Sequence, residues 1–289
     1  MNIIFHIEGG LGKTVMATAV LKAIKKSNPK AQIIVVTAYP DVFIGNPNAS
    51  KVLTNGQLNG IYKNYIMDKD CKVFAIDPYS TNRFVQGKEH LLSIWCDLCE
   101  TNYNGELPEL FISKAEAQYF EPIYRLDKPI MAIQPNGGSV GQNLMYSWTR
   151  DIPTPIMQDV IEYFKDDYSI IHIKRPDQIN YANTLGAIDD YRSIAILLQT
   201  AEKRLLIDSS AMHIATALNL PSVVTWVTTS PNVFGYDMHN NILANAPKKE
   251  LNLEHPFYTK HQLFETLNTL PYNDLNEIFD KAKIIKALK

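Results

Sequence analysis

Asp208-Ser209-Ser210-Ala211-Met212-His213 brings together an acid, two hydroxyls and an imidazole where an apolar run, Leu205 to Asp208, passes into a helical pattern. Unpaired backbone N–H groups at the start of a helix carry partial positive charge, and with neighbouring hydroxyls they suit a diphosphate. Plain N-capping by Asp208 and Ser209 is compatible with that role. His213 reads either as a buried, hydrogen-bonded core histidine or as a phosphate contact. A second candidate is Gly9-Gly10-Leu11-Gly12-Lys13-Thr14, between a strand and a helix. It suggests a phosphate-cradling P-loop, but that pattern asks for glycine where Ile7 stands, and Glu8 would repel a triphosphate. The P-loop ATPase reading is therefore the lesser alternative. Cys96 and Cys99 match C-x-x-C without a second pair to complete a zinc site, so two thiols on one helix is the expectation.

These residues need elements to hold them. Asn2 to Ile7 reads as a buried strand, and the segment carrying Val15, Met16, Ala19, Val20, Ala23 and Ile24 on one face as an amphipathic helix. Gln32 to Thr37 is the next strand, giving a βαβ unit and hence a parallel sheet. Lys72 to Asp77 is another strand ending in an acid. Ser113 and Glu116 have capping-box spacing. A polar stretch, Arg125 to Pro129, divides residues 1–128 from 129–289. The second series reads strand Ile130 to Gln134, loop Pro135 to Gly138, helix Pro155 to Phe164 and strand Tyr168 to Ile173. Helix Asp190 to Ala201, strand Leu205 to Asp208, helix Ala211 to Leu218 and strand Ser222 to Val227 follow. Asp274 to Lys289 reads as an amphipathic helix, expected to pack back on the first domain.

With 289 residues and a formal net charge of −2, the chain is sized for two domains and advertises no large nucleic-acid footprint. It has no signal-peptide pattern and no apolar run near the ~20 residues of a membrane span, so a cytoplasmic protein is expected.

Three regions, in order, resemble the heptosyltransferase family of glycosyltransferases. The first is Ile3 to Val52, with Val20-Leu21-Lys22-Ala23, Asn28-Pro29-Lys30-Ala31-Gln32-Ile33 and Asn46-Pro47-Asn48. The second is Ile130 to Pro153, with Pro135-Asn136-Gly137 before Trp148. The third is Gly186 to Val227, where Asp208, Ser209, His213, Ala217 and Pro221 match and Ser210 replaces the usual glycine. The resemblance implies an α/β protein of two Rossmann-like domains facing across a cleft, the GT-B type. It implies a metal-independent transfer of a sugar from a nucleotide-diphosphate sugar to a hydroxyl, with the nucleotide-sugar as co-substrate and no other cofactor. The implied donor site comprises Asn136, Gly137, Lys174, Asp208, Ser209, Ser210, Met212 and His213.

Two positions depart from the family. Its aspartate after the glycine of the first turn, thought to be the base for the acceptor hydroxyl, is here Lys13. Its lysine two residues before the tryptophan is here Tyr146. Three explanations stay open: Glu8 supplies the base, Lys13 neutralises the donor's phosphates with the base elsewhere, or the protein binds a nucleotide-sugar without transferring it. The first is the working expectation. Leu53 to Pro122 match nothing in the family. Its aromatics Tyr62, Tyr65, Tyr79, Phe84 and Trp95 either stack on sugars or bases or pack in the core. The acceptor is left open among a glycan, a lipid-linked glycan, a protein side chain and a hydroxylated nucleobase in DNA.

Overall fold

A computed structural model describes residues 1–137, 148–187, 190–246 and 272–289. The chain forms β1 (Asn2–Ile7), α1 (Leu11–Ser27), β2 (Gln32–Thr37), β3 (Lys51–Thr54), β4 (Cys71–Phe74), α2 (Asn82–Gln86), α3 (Leu91–Leu98) and α4 (Lys114–Phe120). It continues with β5 (Ile130–Ile133), α5 (Thr154–Phe164), β6 (Ser169–His172), β7 (Leu185–Gly186), α6 (Tyr191–Thr200), β8 (Lys203–Ile207) and α7 (Ser210–Ala217). Last come β9 (Val223–Trp226), α8 (Pro231–Phe234), β10 (Asn240–Leu243) and α9 (Lys281–Leu288). Among the described residues there are two sheets, ordered β3-β2-β1-β4 and β10-β9-β8-β5-β6-β7, and every pairing is parallel. The expected α/β class holds.

Alternation along the strands sends side chains to two faces. In β1, Ile3, Phe5 and Ile7 pack under α1 and α3, while Ile4 joins Ile34 and Val36 on the opposite face. In the second sheet Ala132, Leu206 and Val224 face α6 and α7, whereas Met131, Ile133, Leu205 and Ile207 face α5 and α9. One apolar cluster contains α1 and α3 from the first half together with α6 and α7 from the second. The helices between the sheets thus form a shared core, with α1 packed directly on α7.

Local chemistry sets the boundaries. The expected capping box starts α4, with Ser113 and Glu116 exchanging hydrogen bonds to each other's N–H groups. Asp190 caps α6 by accepting from Ser193 N–H at 2.8 Å. Two expectations need correction. The strand expected through Asp77 stops at Phe74, because the Asp77 side chain accepts the Tyr79 N–H and opens a short helical turn, Pro78–Ser80. The last helix packs on the second sheet, not back on the first domain: its Ile284 and Leu288, with Ile278 and Phe279 just before it, fill the apolar face left by Met131, Ile133 and Ile207. No helix among the described residues is long and apolar enough to cross a membrane.

Candidate functional site

In open parallel sheets, ligands sit at the C-terminal ends of strands where the winding reverses, because the loops there diverge and leave a crevice. The first sheet reverses between β1 and β4, and the second between β5 and β8. Four loops therefore border the two crevices: Glu8–Gly10, Asp77–Tyr79, Gln134–Gly137 and Asp208–Ser210. The crevices meet where α1 touches α7. A Cβ built on Gly12 would stand 3.1 Å from His213 Cδ2 and 3.4 Å from Ser210 Cα. Gly12 is what permits that approach. Gly12→Val is expected to lower the unfolding free energy by about 1–3 kcal/mol through overpacking, read as a fall in the urea midpoint. An unchanged midpoint would show that α1 and α7 are not pressed together there.

On the second sheet, Asp208 is buried, and neither it nor Ser209 caps α7. The Ser209 hydroxyl instead donates to Gln134 Oε1, tying the loop after β8 to the loop after β5. The first turn of α7 thus begins without a side-chain acceptor, the arrangement that favours an anion. His213 is buried, its Nδ1 lies 3.0 Å from the Tyr236 hydroxyl, and burial pushes its pKa down to about 4. Loss of hydration penalises the charged ring, so it stays neutral at pH 7. His213 is thus a buried, hydrogen-bonded histidine in the first turn of α7.

The loop after β5 is braced from behind. Gly137 N–H donates to Asp151 Oδ1 at 2.8 Å, and its carbonyl accepts from Gln178 at 2.9 Å. Asn136, 2% exposed, links Asp151 and Tyr181 through its amide. Asn136 therefore shapes this loop from inside. Met212 is fully buried in the shared core, and Trp148 is buried against α5 and α9. Lys174 follows β6, one strand beyond the crevice, and its ammonium turns to the Arg175 carbonyl. Gly138 and Tyr146 lie outside the described residues.

Arg150 was missed from sequence. It lies over Gly137, where a built Cβ would meet Arg150 Cδ at 2.8 Å and Nη1 at 3.4 Å. Its charge acts on Tyr79 and His213, both of which also feel Asp208. A guanidinium, a carboxylate and an uncapped helix start thus share one end of the second sheet. The available signal was its place two residues after Trp148, in the segment where the family lysine is missing.

On the first sheet, Lys13 is 7% exposed. Its ammonium is 2.8 Å from Asp77 Oδ1 and stands over the rings of Tyr79 at 4.9 Å and Trp95 at 5.4 Å. Its stem lies against Gly9, whose φ of +109° only glycine adopts readily. Thr14 is buried and donates to the Gly10 carbonyl. Lysine and threonine are thus both engaged within the protein, which removes the hallmark contacts of a P-loop. Glu8 is exposed on the turn and makes no ion pair with a described residue. Of the unplaced aromatics, Trp95 and Phe84 are core, Tyr65 packs under the first sheet, Tyr62 is exposed, and Tyr79 borders the crevice. Cys96 and Cys99 are free buried thiols at the end of α3. A depression of about 380 Å³ between Lys128, Ser169 and Thr184 lies at the opposite, N-terminal ends of β5 and β6.

No protein-family model matches the chain, and no curated protein matches it by sequence. Solved structures do match. A glycosyl transferase of family 9 from Veillonella parvula DSM 2008 superposes with a TM-score of 0.70 at 13% identity, covering 99% of this chain and 95% of that one. The ADP-heptose lps heptosyltransferase II of E. coli gives 0.64 at 15% identity over 85% and 91%. The E. coli heptosyltransferase WaaC, solved with ADP, gives 0.56 at 13% identity over 92% and 99%. The fold is that of heptosyltransferase-like glycosyltransferases.

Proposed function

We propose that this protein transfers a sugar from a nucleoside-diphosphate sugar to a hydroxyl acceptor. Residues 1–128 form the acceptor side and residues 129–289 the donor side. The observation that carries the reading is the meeting of two switch-point crevices, one of them lined by the uncapped start of α7 with Arg150 beside it. Transfer of this kind needs a diphosphate stabilised as it departs. The N–H groups of Ser210 and Ala211, with the guanidinium of Arg150, supply positive potential without a metal. Structural neighbours solved with ADP and ADP-2-deoxy-2-fluoro heptose make an adenosine diphosphate donor the first to test. Heptosyl, hexosyl and pentosyl donors all fit this chemistry.

Thermal shift is the direct test. ADP at about 100 times its Kd is expected to add roughly 2.7 kcal/mol of stability, a rise on the order of 5 °C in a chain of this size. The rise should persist in EDTA. Stabilisation by ATP alone, and only with magnesium, would restore the P-loop reading. No response to any nucleotide, with or without magnesium, would sink both. Lys13 at the position of the family aspartate favours one second reading, a nucleotide-sugar-binding protein without transferase activity. Such a protein warms with ADP but releases none from ADP-, UDP- or GDP-sugars.

A further inference from the structure

We propose that Asp77 is the base that deprotonates the acceptor hydroxyl, with Lys13 as the residue that positions it. The inference rests on the transferase reading above.

Asp77 follows β4, at the switch point of the first sheet, on the side of the crevice opposite the start of α1. Its Oδ1 is held twice, by the Lys13 ammonium at 2.8 Å and by the Tyr79 N–H at 2.9 Å. No described group hydrogen-bonds Oδ2, and the side chain is 38% exposed. One oxygen is thus fixed in place while the other stays reachable from the crevice. This is the geometry of a general base, which must lie within hydrogen-bond reach of the proton it takes.

Tyr79, two residues on, lies within electrostatic reach of Asp77 from the first half and of Asp208 and Arg150 from the second. Lys13 cannot serve the donor's phosphates from its position. Its side chain is 6% exposed, and its ammonium is paired with Asp77 and lies over the rings of Tyr79 and Trp95. Glu8 has the charge of a base but nothing to orient it: it is exposed, and no described residue pairs with it. Orientation separates the two carboxylates, because a fixed base avoids the entropy lost in positioning a mobile one.

The step balances as follows. The acceptor oxygen forms its bond to the anomeric carbon as the bond from that carbon to the diphosphate oxygen breaks. The bonding pair leaves with the diphosphate, the hydroxyl proton passes to Asp77 Oδ2, and Asp77 later gives it to water. With water as acceptor the same step is donor hydrolysis, which needs no knowledge of the natural acceptor.

The test uses the full chain and the ADP-, UDP- or GDP-sugar from which the wild type releases nucleoside diphosphate fastest. Asp77→Asn is expected to slow that release at least 100-fold while Kd for the nucleoside diphosphate changes less than 3-fold. Glu8→Gln should release at the wild-type rate. Since Asp77→Asn leaves a buried ammonium without its counter-charge, the double variant Lys13→Met/Asp77→Asn provides a folded control and should be equally slow. Lys13→Met alone should lower kcat and leave KM unchanged, because the carboxylate remains but is held by the Tyr79 N–H alone. Retention of release by Asp77→Asn and by the double variant overturns the assignment while the transferase reading stands. Equal loss of release and of nucleotide binding in both overturns it in favour of a structural pair. A wild type that binds nucleoside diphosphate but releases none from any sugar donor overturns it together with the transferase reading.

Discussion

Arg192→Met is expected to lower the unfolding free energy by about 3 kcal/mol at pH 7, toward the lower end of what breaking a buried ion pair costs. Arg192 sits on α6 and is 6% exposed. Its Nε donates to Glu116 Oε1 at 2.6 Å, one Nη to the Phe111 carbonyl at 2.6 Å, and the other to the Asp41 carbonyl at 3.2 Å. All three acceptors belong to the first half of the chain, so one side chain of the second half fastens both. Beside it, the Tyr124 hydroxyl meets Ser193. Methionine keeps the apolar stem but orphans two carbonyls and a partly buried carboxylate. The Arg192 hydrogen bond holds the Glu116 carboxyl down at about 2, against an ordinary 4.5. A depressed folded pKa contributes stability that is fully present above 4.5 and is lost as pH falls toward 2. Urea midpoints at pH 7 and pH 3 should therefore converge between wild type and Arg192→Met. A loss below about 1 kcal/mol at pH 7, or parallel pH curves, would show the clamp to be a solvated surface pair.

Much of this fold was legible because its signals are local. A continuous run of β-branched residues marks β2 from Gln32 to Thr37, Ser113 and Glu116 mark the start of α4, and the acid-hydroxyl run marks the turn from β8 into α7. What escaped was set by tertiary neighbours. Lys13 read as a free cation because nothing near it in sequence shows that Asp77, far along the chain, ends beside it. Asp77 read as the end of a strand because six apolar-rich residues look alike whether or not the last three leave the sheet. Met212 sits inside the matched motif yet points into the shared core, since a helix start presents only part of its circumference to a crevice. Asn136 stands in the loop after β5 that the sequence offers to the donor, yet its amide turns inward to bridge Asp151 and Tyr181. The surface under the last helix was not legible, because amphipathic spacing states that a face is buried and says nothing of what buries it, here the second sheet.

Arg150→Met is expected to weaken ADP binding about 10- to 100-fold, the range that losing one or two hydrogen bonds between charged groups spans at roughly 1.5–3 kcal/mol. Methionine is the useful replacement, because Arg150 Cδ lies against Gly137 and alanine would also open that contact. The reasoning turns on Asp208. Its carboxylate and the Arg150 guanidinium act on the same two neighbours, Tyr79 and His213, from the end of the sheet where α7 begins. His213 is neutral there, and Lys13 is committed to Asp77. With Arg150 gone, an arriving diphosphate meets the Asp208 charge with only backbone N–H groups to oppose it. The loss should therefore be large for ADP, smaller for AMP and absent for adenosine. Arg150→Lys should recover part of the affinity, since a lysine keeps the charge but not the forked donors that match two phosphate oxygens. Raising ionic strength should weaken the wild type and leave Arg150→Met less affected, because screening acts on the charge that the variant lacks. Titration calorimetry reads all of these. An ADP Kd within 3-fold of wild type in Arg150→Met would move the phosphate site away from α7, and the same loss for adenosine as for ADP would show that Arg150 shapes the pocket and leaves the phosphates to other groups.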